Sequence, residues 1–423
     1  MNKFNIGLIG LGTVGSGVVK TLRNFDFINI KQIAVKSLGK KRNIENFDES
    51  LLTDDAFSVV NNPEIDIIVE VIGGVNPAFD LVKAAILNKK HIVTANKELL
   101  AKHGEELFKL ASENNVVIMY EAAVGGGIPI IMPVKMALAA NRIHKIAAIL
   151  NGTTNYILTK MEQDGADYEE VLGEAQRLGY AETDPTGDVE GYDAAYKIAT
   201  LATIAFNKRV NIKNIYREGI TNISAKDIAY AKQLGYKIKL IALAQADGDK
   251  ADVRVHPMLV KSEHTLAFIN NVTNAVMLEG EPVGQIILSG PGAGEFPTAS
   301  SVVGDILAIC SELDNSEVLL PMMRCHHKTN AEPIAIDDTQ NKYYMLLSVS
   351  DKPGVIGIIG TVCGQHNINL ASLLQKDSQL NDGSAEVVVV TAKCREADIQ
   401  SAIKELNENA CINKVVSLIR VMD

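Results

Sequence analysis

Residues 3–22, KFNIGLIGLGTVGSGVVKTL, decide the fold class of the amino-terminal part of the chain. The apolar run at residues 3–9 predicts a buried strand, and Gly10, Gly12 and Gly15 follow it with the spacing G-x-G-x-x-G. At this spacing the first glycine permits a tight turn, the second lets the backbone approach a pyrophosphate, and the third lets a helix pack on the strand. The stretch therefore predicts dinucleotide binding at the start of a helix, where free N–H groups point outward. The alternative is an empty turn of the same shape.

Strands and helices alternate from this turn to about residue 130, a pattern that predicts a parallel, doubly wound sheet. Further strands are expected at residues 28–35, 64–72, 91–97 and 116–124, with helices between them. The sequence therefore predicts a Rossmann-like NAD(P)-binding domain at residues 1–130.

The rest of the chain has a mixed order of strands and helices. It predicts an α+β domain for substrate binding and catalysis at residues 131–320, then a linker at 321–342 that ends in the polar run DDTQNK. Residues 343–423 have the order βαββαβ, which is typical of a ferredoxin-like unit. The predicted class is therefore α/β, with three domains.

Composition indicates a globular protein and excludes several classes of function. The chain has 423 residues, 47% hydrophobic and 22% charged, as expected for two or three globular domains. The net charge of −10 argues against nucleic-acid binding. No apolar run approaches a membrane span and the first residues enter a strand, so we expect no membrane association and a cytoplasmic location. The five cysteines lie in the last third without close pairs, which predicts reduced thiols.

Cations follow the second strand, where an NAD-dependent enzyme usually carries an acid for the ribose hydroxyls. Val35 ends the predicted strand, Lys36 follows it, three more cations occupy residues 40–42, and the first acid is Glu45. Cations here suit a 2′-phosphate, so the sequence favours NADP and leaves NAD possible. The alternative is a solvated loop whose charges bind nothing.

Three other loops carry candidate residues. In TANKELL, residues 94–100, Lys97 follows a strand at the edge where open α/β sheets bind ligands; the alternative is a surface lysine. In EAAVGGGIP, residues 121–129, Glu121 and the exposed backbone carbonyls suit a monovalent cation; the alternative is a flexible crossing between domains. The glycine-rich stretch at residues 289–306 either contacts the cofactor or caps a helix.

The stretch AETDPTGDVEGYDAAYK, residues 181–197, places five acids before a lysine. Asp193 and Lys197 are four residues apart and share a helix face, so they form either part of a polar pocket with Glu182 or a surface ion pair. Asp188 is placed to cap the coming helix. The spacing of a calcium-binding EF-hand loop is absent from this stretch.

Taken together, these motifs resemble homoserine dehydrogenase. The matching stretches are GLGTVG, TANK, EAAVGGGIPII, LNGTTNYIL, GYAETDPTGDVEGYDAAYK and GPGAGEFPTAS, while SVSDKPGVIGIIGTVCGQHNINL resembles an ACT domain, a module that binds small amino acids. The resemblance implies reversible, NAD(P)-dependent interconversion of L-homoserine and L-aspartate 4-semialdehyde, a step toward threonine, methionine and isoleucine. An ACT domain raises the hypothesis of inhibition by threonine or another end product; the alternative is a domain used only for assembly.

The resemblance also implies roles for individual residues. Lys97 and Lys197 match paired catalytic lysines, and we favour Lys197 as the proton donor and Lys97 as its partner on the substrate oxygen. Glu182 and Asp193 match the acids that hold the amino group of the substrate. A sodium-type site matches one side chain and three backbone oxygens: Glu121, Val124, Gly126 and Ile128. The candidate cofactor-binding residues are Gly10, Gly12, Thr13, Val14, Gly15, Lys36, Lys97 and Gly292.

Other functions are weighed against this interpretation. Aspartate-semialdehyde dehydrogenase needs a nucleophilic cysteine, and the first cysteine here is Cys310, far beyond the catalytic motifs. A dehydrogenase for another amino acid and a non-catalytic regulatory protein that binds NADP and an amino acid stay open as alternatives. Pairing of ACT units edge to edge, or an interface formed by the middle domain's sheet, predicts a homodimer or homotetramer.

Overall fold

The computed structural model describes residues 3–314, 329–375 and 383–422. Within these residues the strands β1 to β18 are, in order, Phe4–Ile9, Ile28–Ala34, Leu52–Thr53, Ile67–Glu70, His91–Thr94, Ile118–Met119, Arg142–Ile149, Tyr216–Arg217, Tyr236–Asp247, Lys250–Lys261, Thr273–Glu281, Gly284–Pro291, Glu332–Pro333, Gln340–Ser350, Leu370–Gln375, Ser384–Thr391, Cys394–Arg395 and Ile412–Val421.

The helices α1 to α12 of the same described residues are Thr13–Leu22, Ala56–Asn61, Ala78–Leu87, Lys97–Glu113, Gly152–Asp164, Tyr168–Arg177, Thr186–Val189, Tyr192–Phe206, Ala225–Gln233, Glu295–Asp314, Val355–Gln365 and Glu396–Glu408. The chain divides into two compact units. The first comprises Met1–Leu150, Ala194–Asn214 and Thr273–Ala331, and the second comprises Asn151–Asp193, Ile215–Val272 and Glu332–Asp423.

The first unit contains the predicted doubly wound sheet. Its six strands are all parallel and have the order β3-β2-β1-β4-β5-β6, the order of a dinucleotide-binding sheet. Helices cover such a sheet on both faces, and the successive residues Ile67, Ile68 and Val69 of the central strand β4 are accordingly all buried. Three antiparallel strands, paired in the order β12-β11-β7, belong to the same unit.

Helix α10 packs against α1 in the core of the first unit. Val18 and Val19 of α1 share a buried cluster with Val302, Val303 and Ile306 of α10. Among the described residues, one helix segment, Glu295–Leu313, is long and apolar enough to span a membrane by length and composition. Its burial against α1 explains that apolar character, because a core helix needs apolar residues on its buried face.

The carboxyl-terminal part of the second unit has the predicted ferredoxin-like order. Strands β14, β15, β16 and β18 form an antiparallel sheet in the order β18-β14-β16-β15, and α11 and α12 share its buried core. Strand β14 begins at Gln340, so the last three residues of DDTQNK belong to this sheet rather than to a linker.

The strand expected at residues 116–124 is the main error in the predicted elements. Strand β6 covers only Ile118–Met119, and Glu121–Ala123 forms a 3₁₀ turn. The residues that follow β6 are buried as far as Gly126. Their apolar character therefore reflects burial rather than extended backbone, a distinction that a short apolar run cannot make.

Candidate active site

The glycine turn after β1 combines close packing with open space. Gly10 has φ +105°, a conformation that favours glycine. A Cβ on Gly15 would lie 2.1 Å from the carbonyl oxygen of Gly10, whereas a Cβ on Gly12 would meet no atom within 4 Å. Gly12 caps α1 without a side-chain hydrogen bond, and Thr13 and Val14 open the helix. The amino terminus of α1 is therefore free of side-chain cover and suits an anionic ligand group.

The loop after β2 presents several cations. Lys36, Lys40 and Lys41 are exposed, while the guanidinium of Arg42 donates hydrogen bonds to the carbonyls of Ser37 and Lys40 at 2.7 and 2.8 Å. Arg42 therefore organises the loop, and the lysines offer positive charge for a phosphate group.

Lys97 is the first residue of α4, and two residues separate it from the end of β5. Strands β1, β4 and β5 are adjacent and parallel, so their carboxyl ends, and with them Lys97 and the glycine turn, lie at one edge of the sheet. Asn96 caps α4 by accepting from the N–H of Leu99 at 3.0 Å, and its amide donates to the carbonyl of Gly74 at 2.6 Å. The start of α4 is thus fixed by side-chain hydrogen bonds.

Glu70, which no sequence motif marks, forms hydrogen bonds that stabilise this edge of the sheet. It is fully buried at the end of β4 and accepts hydrogen bonds from the Thr94 hydroxyl at 2.6 Å and from the N–H of Ile72 at 2.9 Å. Burial raises the pKa of its carboxyl group, and these hydrogen bonds oppose that rise. The available signal was an acid at the end of the otherwise apolar run IIVE.

Lys197 lies within α8 and is buried, with 8% of its surface exposed. Its Nζ donates a hydrogen bond to the carbonyl of Leu150 at 2.7 Å. A buried lysine is uncommon unless its ammonium group has partners or a chemical task. The surface ion pair considered for Asp193 and Lys197 is therefore wrong, because Asp193 is also buried, at 7% exposure.

Asp193 belongs to a polar cluster around the NGTT motif. The amide of Asn151 donates to Asp193 at 3.0 Å and to Asp188 at 2.7 Å, and the Thr153 hydroxyl donates to Asp188 at 3.1 Å. The prediction that Asp188 caps the following helix is wrong, because Asp188 lies within α7 and α8 begins only at Tyr192. The Asp188 carboxylate instead accepts from Asn151 and Thr153. Glu182, by contrast, is exposed in the turn before α7.

Glu121 is buried beside a second buried acid. Its carboxylate accepts backbone N–H groups of Ile130, Ile131 and Met132 at 2.5, 2.6 and 2.7 Å. Asp305 accepts from the N–H of Glu121 at 2.8 Å. Burial raises the pKa of both carboxyl groups, that of Asp305 strongly.

The candidate cation ligands form an oxygen-only set, which suits a hard monovalent cation. The Glu121 carboxylate retains acceptor capacity beyond its three N–H partners, and the Gly126 carbonyl accepts the Ser301 hydroxyl at 2.7 Å with a second lone pair to spare. Val124 and Ile128 contribute only backbone carbonyls. The described residues contain no group of three or more His, Cys, Asp or Glu side chains that could hold a metal ion.

Two glycine loops meet around Gly292. A Cβ on Gly126 would lie 2.3 Å from the Gly292 carbonyl oxygen, and one on Gly292 would lie 2.0 Å from the Asn274 amide nitrogen. The Asn274 side chain is buried and makes no hydrogen bond within the described residues. Buried amides normally have partners, so this loop suits a polar ligand group.

The described cysteines are free thiols: Cys310, Cys363, Cys394 and Cys411. Burial raises the pKa of Cys310 to about 12 and that of Cys363 and Cys394 to about 11, which opposes thiolate formation. Cys325 lies outside the described residues. Thioester chemistry at Cys310 is therefore disfavoured by burial as well as by sequence position.

Three family models match successive parts of the chain. One described as "Homoserine dehydrogenase, NAD binding domain" matches residues 10–121, one described as "Homoserine dehydrogenase" matches residues 129–307, and one described as "ACT domain" matches residues 343–411.

Individual relatives agree with these models. A homoserine dehydrogenase of Synechocystis is 45% identical, covering 99% of both chains. The crystal structure of a homoserine dehydrogenase from Thiobacillus denitrificans superposes with a TM-score of 0.93 at 37% identity, covering 100% of this chain and 99% of that chain. A hyperthermophilic archaeal homoserine dehydrogenase in complex with NADPH has a TM-score of 0.63 at 28% identity, covering 73% of this chain and 98% of that chain.

A doubly wound dinucleotide-binding sheet followed by a catalytic region defines an NAD(P)-dependent oxidoreductase. With relatives at this identity over its full length, the chain belongs to the homoserine dehydrogenase family, and it carries a carboxyl-terminal ACT domain.

Proposed function

We propose that the protein catalyses the reversible oxidation of L-homoserine to L-aspartate 4-semialdehyde, with NADP as the preferred dinucleotide. The observation that carries this proposal is the burial of Asp193 and Lys197 on one helix, α8, in a chain that matches the family over its full length. An acid and a lysine one turn apart can bind an ammonium group and exchange a proton with a hydroxyl.

The cofactor is assigned to the glycine turn and the loops beside it. Backbone N–H groups at the start of α1 would hold the pyrophosphate, Lys36 would supply positive charge for a 2′-phosphate, and Gly292 would line the late loop beside the cofactor. When bound, the dinucleotide accepts the hydride that leaves C4 of homoserine. The residues assigned to it are Gly10, Gly12, Thr13, Val14, Gly15, Lys36, Lys97 and Gly292.

The chain's own groups handle the proton and the charges of the substrate. Lys197 takes the hydroxyl proton during oxidation and returns it to the forming alkoxide during reduction, and Lys97 holds the same oxygen. Asp193 and Glu182 bind the ammonium group through charge-assisted hydrogen bonds. Burial of Lys197 beside a carbonyl keeps bulk water from competing for this proton.

A monovalent cation, most simply sodium, is assigned to the oxygen set of Glu121, Val124, Gly126 and Ile128. Bound there, the cation would be held by these oxygens and would supply positive charge beside the buried acids Glu121 and Asp305. This assignment is supported by the chemistry of the donors and by burial of both acids.

The ACT domain is proposed to bind an amino-acid effector such as threonine, which inhibits the enzyme. A cytoplasmic enzyme that assembles as a homodimer or homotetramer fits the same proposal. The three-domain division into residues 1–130, 131–320 and 343–423 is kept as part of the proposal, whereas the linker predicted at 321–342 ends before Gln340, where β14 begins.

The test is an absorbance assay at 340 nm with L-homoserine and either NADP⁺ or NAD⁺. The expected result is reduction that depends on L-homoserine, with a lower KM for NADP⁺ than for NAD⁺. L-Serine, which is one methylene shorter, serves as the control substrate and is expected to be a poor one. Absence of reduction with both dinucleotides would reject the proposal.

A further inference from the structure

The turn that begins α8 is packed against a neighbouring segment, residues 216–221, in the second unit. The N–H of Ile220 donates to the Val189 carbonyl at 2.9 Å. A Cβ on Gly219 would lie 2.3 Å from that same carbonyl oxygen, so the two backbones have no room between them. The Thr221 hydroxyl donates to the Glu190 carboxylate at 3.2 Å. A shift of this segment must therefore move the turn.

Arg217 holds the first residue of α8 directly. Its guanidinium lies 3.4 Å from the ring centroid of Tyr192 and donates a hydrogen bond to the Glu190 carbonyl. Gly191, with φ +78°, lies between them, and a Cβ there would be 3.3 Å from Cγ of Arg217. Tyr192 immediately precedes Asp193, so Arg217 contacts the residue next to this acid.

The side chains on either side of Arg217 contact a different partner. Successive side chains of a strand point to opposite faces, and Tyr216 and Glu218 both meet Arg420 of the last strand, β18. Arg420 donates to the Glu218 carboxylate at 2.6 Å and to the Tyr216 hydroxyl at 3.1 Å. Three consecutive residues thus join β18 on one side to the start of α8 on the other.

Arg420 is itself fixed within the ACT domain. It is 2% exposed and forms two hydrogen bonds to the Glu396 carboxylate of α12, at 2.7 and 2.8 Å. The Tyr343 hydroxyl of β14 donates to the same carboxylate at 2.7 Å. A buried, bidentate pair of this kind allows little independent movement of Arg420.

We propose that Arg217, Glu218 and Arg420 are positioning residues through which the ACT domain sets the affinity of Asp193 for the ammonium group of the substrate. The inference rests on the proposed function, because it takes Asp193 as a ligand of homoserine. A rearrangement of β18 or α12 would reach Asp193 through one short segment, without any contact between an effector and the substrate.

The test is Glu218→Gln, which removes the charge that faces Arg420 and keeps the size of the side chain. Arg420 retains Glu396, so its own charge stays paired. The expected result is a KM for L-homoserine raised roughly three- to tenfold, with kcat and the KM for NADP⁺ unchanged, as for the loss of part of one charged contact. Arg217→Met, made separately and combined with Glu218→Gln, is expected to give a less than additive change, because both act through one segment.

The matched control is Asp338→Asn, which removes an exposed ion pair with Arg395 at the start of the same helix, α12. This control is expected to leave all three kinetic constants unchanged. An unchanged KM for L-homoserine in Glu218→Gln would overturn the inference. A variant in which kcat, the affinities for both substrates and the melting temperature all fall would also overturn it, because that pattern indicates general destabilisation. An inactive wild type overturns the proposed function and the inference together, whereas an active wild type with an unaffected variant overturns the inference alone.

Discussion

At the scale of single residues, burial separates the two acids assigned to the substrate. Asp193 is buried and hydrogen-bonded to Asn151, whereas Glu182 is exposed. A charge in a low-dielectric site interacts more strongly with an ammonium group than a solvated one does. If both acids bind the substrate as proposed, we therefore expect Asp193 to contribute more to homoserine binding than Glu182.

Asp193→Asn is expected to raise the KM for L-homoserine roughly 10- to 100-fold, because a charge-assisted hydrogen bond contributes about 1.5–3 kcal/mol. Steady-state kinetics and direct NADPH binding check this, with nucleotide affinity unchanged. Asp164→Asn, at the exposed end of α5, is the control. A KM for L-homoserine within about twofold of the wild-type value would contradict the assignment of Asp193, because the expected rise is at least roughly tenfold.

At the scale of elements, the turn between β1 and α1 contains one glycine required by packing and one with open space beside it. Gly15 has no room for a Cβ, since it would lie 2.1 Å from the Gly10 carbonyl oxygen, while a Cβ on Gly12 meets only open space. The same substitution at two positions three residues apart therefore has different consequences.

Gly15→Ala is expected to destabilise the fold by about 1–3 kcal/mol, because the helix must move away from the strand. Gly12→Ala is expected to leave the melting temperature unchanged and to weaken NADPH binding, since its methyl group occupies the space assigned to the pyrophosphate. Thermal melts and fluorescence titration with NADPH distinguish the two variants. Undiminished NADPH affinity in a folded Gly12→Ala variant would exclude the glycine turn as the phosphate site.

The elements show what a sequence can and cannot predict. The roles of Gly10, Gly12 and Gly15 follow from local sterics, so the sequence alone indicated their geometry. The role of Glu70 could not be predicted, because its partner Thr94 becomes a neighbour only when β4 and β5 pair. The buried pair of Arg420 and Glu396 was not foreseen either, since 24 residues separate its members and no motif marks them. The prediction of a strand at residues 116–124 was wrong because apolar residues are typical both of strands and of other buried segments.

At the scale of the whole molecule, one buried lysine links stability to pH. Lys239 is 1% exposed, and its ammonium donates to the Ile269 carbonyl at 2.5 Å and to the Asn155 side-chain oxygen at 3.1 Å. Burial lowers its pKa to about 8. An unfolded lysine has a pKa of about 10.4, so between these values the unfolded state binds more protons. The contribution of Lys239 to stability therefore rises with pH across this window and falls as pH drops toward 8.

We therefore expect the wild type to gain stability relative to Lys239→Met as the pH rises from about 8 to about 10. The quantity compared is the free energy of unfolding. Urea unfolding at several pH values measures this difference, and subtraction removes the titration of other groups. A difference that does not change with pH, or that moves the other way, would show that Lys239 titrates normally.

The proton-transfer role of Lys197 is tested most directly by following absorbance at 340 nm with L-homoserine and NADP⁺, for wild type and Lys197→Ala. Lys109→Ala, on the exposed face of α4, is the control, and NADPH binding shows that each variant is folded. The account predicts that Lys197→Ala loses roughly 10²- to 10⁴-fold in kcat while binding NADPH normally, as expected when a general acid–base group is removed. Activity equal to that of the Lys109→Ala control would contradict the proposed mechanism.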